Sequence, residues 1–184
     1  MERKIQNTNL ENKDGILEIK SIDNLGQFSG YASVFNIIDS YNDIILPQAF
    51  KNSLNNNKEV KMLWQHQQDK PIGYFTTIKE DSIGLYVEGQ ILLDLQQGLE
   101  AYKLIKNRGV NGLSIGYCVK QAEYDSKNNT RIIKEIDLFE ISIVTFPANK
   151  YSNITYCKSL DEYTSLIHNL DKLNKILQND IIEL

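Results

Sequence analysis

A mainly β domain with a few helices, of the α+β class, is the fold that this sequence predicts. Three observations predict it. Short segments with alternating large side chains recur between tight polar turns, the pattern of a barrel or sandwich. Only two or three segments before residue 156 carry helical spacing. The final stretch then changes character: Leu166, Leu170, Leu173, Leu177 and Ile181 repeat at spacings of four, three, four and four, which is the stripe of an amphipathic helix.

The elements follow in order. Residues 1–15 are polar and close on Asp14-Gly15, a turn signal, and read as an N-terminal arm. From Ile16 to Ser21 the residues alternate as in a strand. Gln27 to Phe35 alternates again, and Asn36 to Asp43 reads as a loop before the apolar Ile44-Ile45-Leu46. Pro47, well placed at a first helical position, opens a short helix over Gln48 to Leu54. Glu59 to Gln65, Ile72 to Thr77 and Leu85 to Leu92 are strands. Asp94 with Gln97 has the spacing of a capping box, so a helix follows with Leu99, Tyr102 and Ile105 as its apolar face and Arg108-Gly109 as its end. Gly112 to Glu123 and Thr130 to Lys134 form a hairpin across Asp125 to Asn129. Asp137 to Phe146 is a strongly apolar strand stopped by Pro147. Ser159 with Glu162 caps the last helix. The division is an arm (1–15), a main domain (16–155) and a helical tail (156–184).

Composition narrows the function classes. The chain has 184 residues, 41% hydrophobic and 24% charged, with 20 basic and 24 acidic side chains and a net charge of −4. Nucleic-acid binding needs a clustered positive face, and none is legible. No apolar run approaches the ~18 residues of a membrane span. Met1 to Gln6 lacks the apolar core of a secretory signal, so a cytosolic site is expected. The two cysteines, Cys118 and Cys157, lie far apart and have neither disulfide-framework nor zinc spacing. No cofactor or metal is expected.

The two histidines confine any imidazole chemistry. His168 sits on the polar face of the C-terminal helix and reads as solvent-exposed. His66 ends Val60-Lys61-Met62-Leu63-Trp64-Gln65-His66. If the strand runs to its end, Met62, Trp64 and His66 share a face beside a loop, a suitable place for a base; a structural histidine is the alternative. In Gly112-Leu113-Ser114-Ile115-Gly116-Tyr117-Cys118, strand alternation puts Ser114 on one face with Gly112, Gly116 and Cys118. Two glycines inside a strand weaken it, and one reason to keep them is room for another backbone beside the Ser114 hydroxyl. A glycine-containing bend with serine as filler is the alternative. Serine needs a base to become nucleophilic, and the imidazole needs a third group to orient it. Glu140, flanked by Phe139 and Ile141, is an acid inside an apolar strand. Burying it unpaired is costly, so it expects a partner: His66, or Arg131 or Lys134 in an ion pair. Asp137 and Glu135 are weaker choices for the third member.

Taken together, the ordered set Gly30-Tyr31-Ala32-Ser33-Val34-Phe35, Asp39 and Asp43 before Leu46-Pro47-Gln48-Ala49-Phe50, Leu63-Trp64-Gln65-His66, Gly112 to Tyr117, Glu140-Ile141-Ser142 and Thr145-Phe146-Pro147-Ala148-Asn149 resembles the tailed-phage prohead protease family. The resemblance covers roughly Leu25 to Asn149. It implies a fold related to herpesvirus assemblin: an antiparallel β-barrel surrounded by a few helices, here followed by the C-terminal amphipathic helix. It implies a serine endopeptidase with Ser114 as nucleophile and His66 as base. Assemblin's third member is a second histidine; here Glu140 occupies the comparable strand and takes that role. Gln48 stands where the family usually has glycine.

The same resemblance implies partners and place. The substrates would be the major capsid protein, through its scaffolding segment, and the protease itself, inside an immature capsid in the host cytoplasm. The tail would then serve as a packaging segment or homodimer contact, or dock on the barrel. Oxyanion donors are open: backbone N–H groups, Arg108 or Arg131. The competing functions are a non-catalytic β-barrel binding module and a capsid-assembly scaffold acting through its C-terminal helix.

Overall fold

The computed structural model describes residues 25–56 and 59–157. The N-terminal arm, the Ile16 to Ser21 strand, His168 and the C-terminal helix lie outside the described residues.

Among the described residues, eight strands and two helices follow one another: β1 (Gln27–Val34), β2 (Asp43–Ile45), α1 (Lys51–Asn55), β3 (Lys61–Trp64), β4 (Gln67–Glu80), β5 (Gly84–Ile91), α2 (Gln96–Lys106), β6 (Gly112–Asp125), β7 (Thr130–Val144) and β8 (Ile154–Cys157). They make a single sheet in the order β2-β7-β3-β4-β5-β1-β8, with β6 on the other side of β7, curled into a half-barrel. Most pairings are antiparallel. The short strands β2 and β3 instead run parallel to the two ends of β7. The segment before β8 draws the start of β6 towards β1: the Leu113 and Ile154 N–H groups bond Ser152 O and Asn111 O at 2.9 and 2.8 Å, and Tyr31 N–H bonds Asn153 O at 3.1 Å.

Inside the curl, Phe28, Met62, Ile72, Leu113, Ile141 and Ile143 are among the fully buried side chains. Alternation explains most of them. On β7 it is reset by bulges. Gly116 pairs with Glu140 and Tyr117 with Leu138, so Phe139 is an extra residue and stays half exposed while Leu138 turns inward. Such bulges bend a strand without ending it. For that reason Thr130 to Lys134 and Asp137 to Phe146, which read as separate strands, are one strand stopping at Val144.

Both helices depart from the sequence reading. Pro47 does not open α1: Gln48 has φ +73°, which is left-handed and stops a helix from passing through it, so α1 begins at Lys51. Asp94 does not cap α2. The N-cap is Leu95, without a side-chain bond. The buried face of α2 runs through Gly98, Ala101, Tyr102 and Ile105, and Leu99 remains 36% exposed. Small residues let the helix approach so closely that a Cβ at Gly98 would lie 2.0 Å from Leu92 O; a search for large apolar side chains overlooks such a face.

Candidate active site

The site is built on β6, β7 and the β3–β4 hairpin. In β6–β7 register, Ser114 stands opposite Ser142 and Gly116 opposite Glu140. Directly opposed residues share a face of the sheet, so the serine and the carboxylate are neighbours through backbone pairing. On the other flank of β7, Trp64 at the end of β3 lies beside Ile143.

The chain reverses there in two residues, because Trp64 pairs with Gln67. Both residues of the connection, Gln65 (φ +53°) and His66 (φ +60°), are left-handed. This is the backbone of a type I′ hairpin turn, normally given to Asn and Gly. Each left-handed non-glycine residue costs about 1–3 kcal/mol and persists only where its surroundings hold it. Here β7 holds it. Gln65 N–H bonds Ile143 O at 3.0 Å. The Gln65 amide donates to Thr145 Oγ1 at 2.9 Å and accepts from Thr145 N–H at 3.3 Å. His66 N–H donates to Ser142 Oγ at 3.0 Å. β3 thus ends before His66, which is not the outward residue of a strand sharing a face with Met62 and Trp64, as alternation would have it. It is the second residue of a clamped turn.

The clamp brings His66 to Glu140. Its Nδ1 lies 2.6 Å from Glu140 Oε1, and the second carboxylate oxygen accepts the Ser142 hydroxyl at 2.6 Å. The glutamate side chain is 14% exposed and the imidazole 46%. The hydrogen bond to Glu140 raises the His66 pKa above its ordinary value; partial burial opposes the shift and the nearby negative charge adds to it. With Nδ1 held by the carboxylate, Nε2 is the ring nitrogen that Glu140 leaves open.

Two glycines can now be explained. A Cβ on Gly116 would lie 2.3 Å from Glu140 Oε1, and one on Gly112 would lie 2.7 Å from Pro147 Cδ. Their missing side chains make room for Glu140 beside Gly116, and for Pro147 and Val144 O beside Gly112.

His66 and Ser114 line one cleft of about 300 Å³, together with Asp39, Tyr41, Asp43, Tyr117 and Phe146. Phe146 is 90% exposed at its rim. One wall carries the carboxylates of Asp39 and Asp43. Buried Asp43 stands beside Arg131 in β2–β7 register, accepts from Arg131 Nε at 2.8 Å and pairs with Arg131 Nη2. Tyr117 donates to it at 3.4 Å, and burial, with the charges of Asp43 and Asp39 behind it, pushes the phenol up to about 12. Asp39 Oδ1 accepts the N–H groups of Tyr41 and Asp43 at 2.8 and 2.9 Å, yet burial still raises its pKa.

The alternatives left open by the sequence separate accordingly. Arg131 belongs to Asp43, and Lys134 pairs with Glu123, so neither answers Glu140. Asp137 sits 3.7 Å from Lys120 and Glu135 accepts from Asn52 at 2.9 Å; both line a different depression from His66. Neither Arg108 nor Arg131 lines the cleft. Gln65, Ser142 and Thr145 are the contributors that sequence reasoning missed. The available signal was spacing: Ser142 is two residues from Glu140 and shares its strand face.

The family model of the caudovirus prohead serine proteases matches residues 16–165. The chain belongs to that family. Among the family's relatives, the prohead protease of Enterobacteria phage HK97 is 42% identical over 139 residues, covering 74% of this chain and 62% of that protein. The chain therefore spans less than two thirds of the HK97 protein's length. The prohead protease of Escherichia phage T5 is 29% identical over 165 residues, covering 87% and 73%. A capsid polyprotein of Pseudomonas phage PAJU2 is 33% identical over 152 residues, covering 79% of this chain and 22% of its own. Among solved structures, the bacteriophage T4 capsid assembly protease superposes with a TM-score of 0.57 at 10% identity, covering 70% of this chain and 90% of that one. KSHV protease, in complex with a hexapeptide phosphonate inhibitor, gives 0.52 at 12% identity, covering 79% and 76%. At such identities the structural likeness establishes the fold: a curled, assemblin-like sheet with few helices.

Proposed function

We propose that this prohead protease family member is a serine endopeptidase of capsid maturation, with Ser114 as nucleophile, His66 as general base and Glu140 as the group that orients the imidazole. The observation that carries the reading is the 2.6 Å contact between His66 Nδ1 and Glu140 Oε1, made by a histidine that lines the same cleft as Ser114.

The chemistry follows from the free nitrogen. Neutral His66 takes the Ser114 proton at Nε2 as Oγ bonds to the peptide carbonyl carbon. The tetrahedral adduct collapses, the C–N bond breaks, and Nε2–H protonates the leaving amine. Water then attacks the acyl-enzyme and gives a proton to Nε2. The Oγ–C bond breaks, and the proton returns to Ser114. Throughout, Glu140 stays ionised, fixes the tautomer with the proton on Nδ1, and stabilises the imidazolium. Because catalysis needs the neutral base, and Glu140 raises the pKa of that base, activity should rise with pH through a midpoint above the ordinary ~6.5 of histidine.

The substrates in this reading are the scaffolding segment of the major capsid protein and the chain itself, inside the immature capsid. Support comes from a T4 structural neighbour described as a capsid assembly protease and from a relative described as a capsid polyprotein. Incubating purified wild-type chain with its capsid protein, followed by intact mass spectrometry, tests this. Discrete capsid fragments are expected; an uncut capsid protein overturns the substrate assignment.

A further inference from the structure

Ser142 is fully buried, and its single hydroxyl proton can go to one acceptor. That acceptor is Glu140 Oε2, at 2.6 Å. Ser142 Oγ in turn accepts His66 N–H at 3.0 Å. One side chain therefore grips the carboxylate from the side opposite His66 and also grips the backbone of His66 in its left-handed turn. Across the strand pair Gly116 has no side chain, so no side chain there touches the carboxylate. A carboxylate with a donor on each oxygen has one orientation; with a donor on Oε1 alone it can swing about its Cγ–Cδ bond.

We propose that Ser142 is a positioning residue of this site, locking Glu140 onto His66 and the His66 turn onto β7, so that the base stands in one orientation before substrate arrives. This rests on the roles given above to Ser114, His66 and Glu140. Ser142 itself touches no reacting atom.

The test uses an alkyl fluorophosphonate, which needs no knowledge of the natural substrate. Ser114 Oγ bonds to phosphorus, fluoride leaves, and the hydroxyl proton passes to His66. In Ser142→Ala the saturating labelling rate should fall roughly 10²-fold, the usual penalty for a misplacement near 1 Å, while the probe's half-saturation concentration stays unchanged. Ser142→Thr restores a hydroxyl on a side chain suited to strands and should recover most of the rate.

A second readout separates positioning from mere folding. In a His168→Gln background, His66 is the only histidine of the chain, and its imidazole can be titrated by NMR without assignment. Ser142→Ala should bring its midpoint back down towards 6.5, because the contact with Glu140 is what raises it. A wild-type midpoint in folded Ser142→Ala overturns the proposal, whatever happens to the rate. If the wild type is not labelled at Ser114, the catalytic reading fails instead, and the His66 titration still decides whether Ser142 holds the pair.

Discussion

Gly116→Ala adds one methyl group to a residue that takes part in no chemical step, yet it should nearly silence the site. The new Cβ would stand 2.3 Å from Glu140 Oε1 and 2.8 Å from its Cγ and Cδ. Raising the first contact to an ordinary 3.4 Å moves the oxygen by about 1.1 Å, the difference of the two distances. The Oε1–Nδ1 bond, at 2.6 Å, has only about 0.6 Å in hand before it passes the usual limit near 3.2 Å. The bond therefore breaks, and the imidazole loses its orienting partner. Misplacement of this size costs about 10²-fold in rate. Overpacking of this kind should cost about 1–3 kcal/mol of stability. The assay is the fluorophosphonate labelling rate beside a thermal melt. The expected result is a folded protein, a rate down about a hundredfold, and an acid limb moved to lower pH. A folded Gly116→Ala protein labelled within threefold of wild type would refute the role given to this contact.

Two further outcomes follow from the same geometry. Glu140→Gln keeps shape and removes charge; the rate should fall about 10³- to 10⁴-fold, as when a triad carboxylate becomes an amide. Because the folded pKa of His66 is raised, the pair adds stability that is complete below about pH 6.5 and is lost as pH rises through the folded value; melts of Glu140→Gln across that window should lack this pH dependence. Gln48→Gly relieves a left-handed residue at φ +73°. It should stabilise the protein by about 1 kcal/mol, or roughly 2–4 °C in Tm, and an unchanged melt would show that the turn carries no strain.

Legibility in the sequence tracked the physics of each element. Strands announced themselves because one face of each is buried, and alternation therefore survives in the residues. Glu140 was legible for a similar reason: an acid between Phe139 and Ile141 demands a partner, and His66 is that partner. The hairpin that delivers His66 was not legible, since Gln65-His66 carries none of the glycine or asparagine that marks such a turn; bonds from Ser142, Ile143 and Thr145 hold it instead. Ser142 stood out only as part of the motif Glu140-Ile141-Ser142, because the role of a buried hydroxyl is visible only through its partners. The contact of Gly116 with Glu140 was not legible, because the side chain it accommodates comes from a strand position 24 residues further on. Gln48 stands where the resemblance expects glycine, and its left-handed backbone explains that expectation.

The most direct test of Ser114 and His66 as a working pair is intact mass spectrometry of purified wild-type and Ser114→Ala chains incubated side by side at high concentration. The wild type should trim itself to discrete products and Ser114→Ala should keep its full mass, with both giving the same melt. Products of identical mass from both chains would contradict Ser114 as the nucleophile.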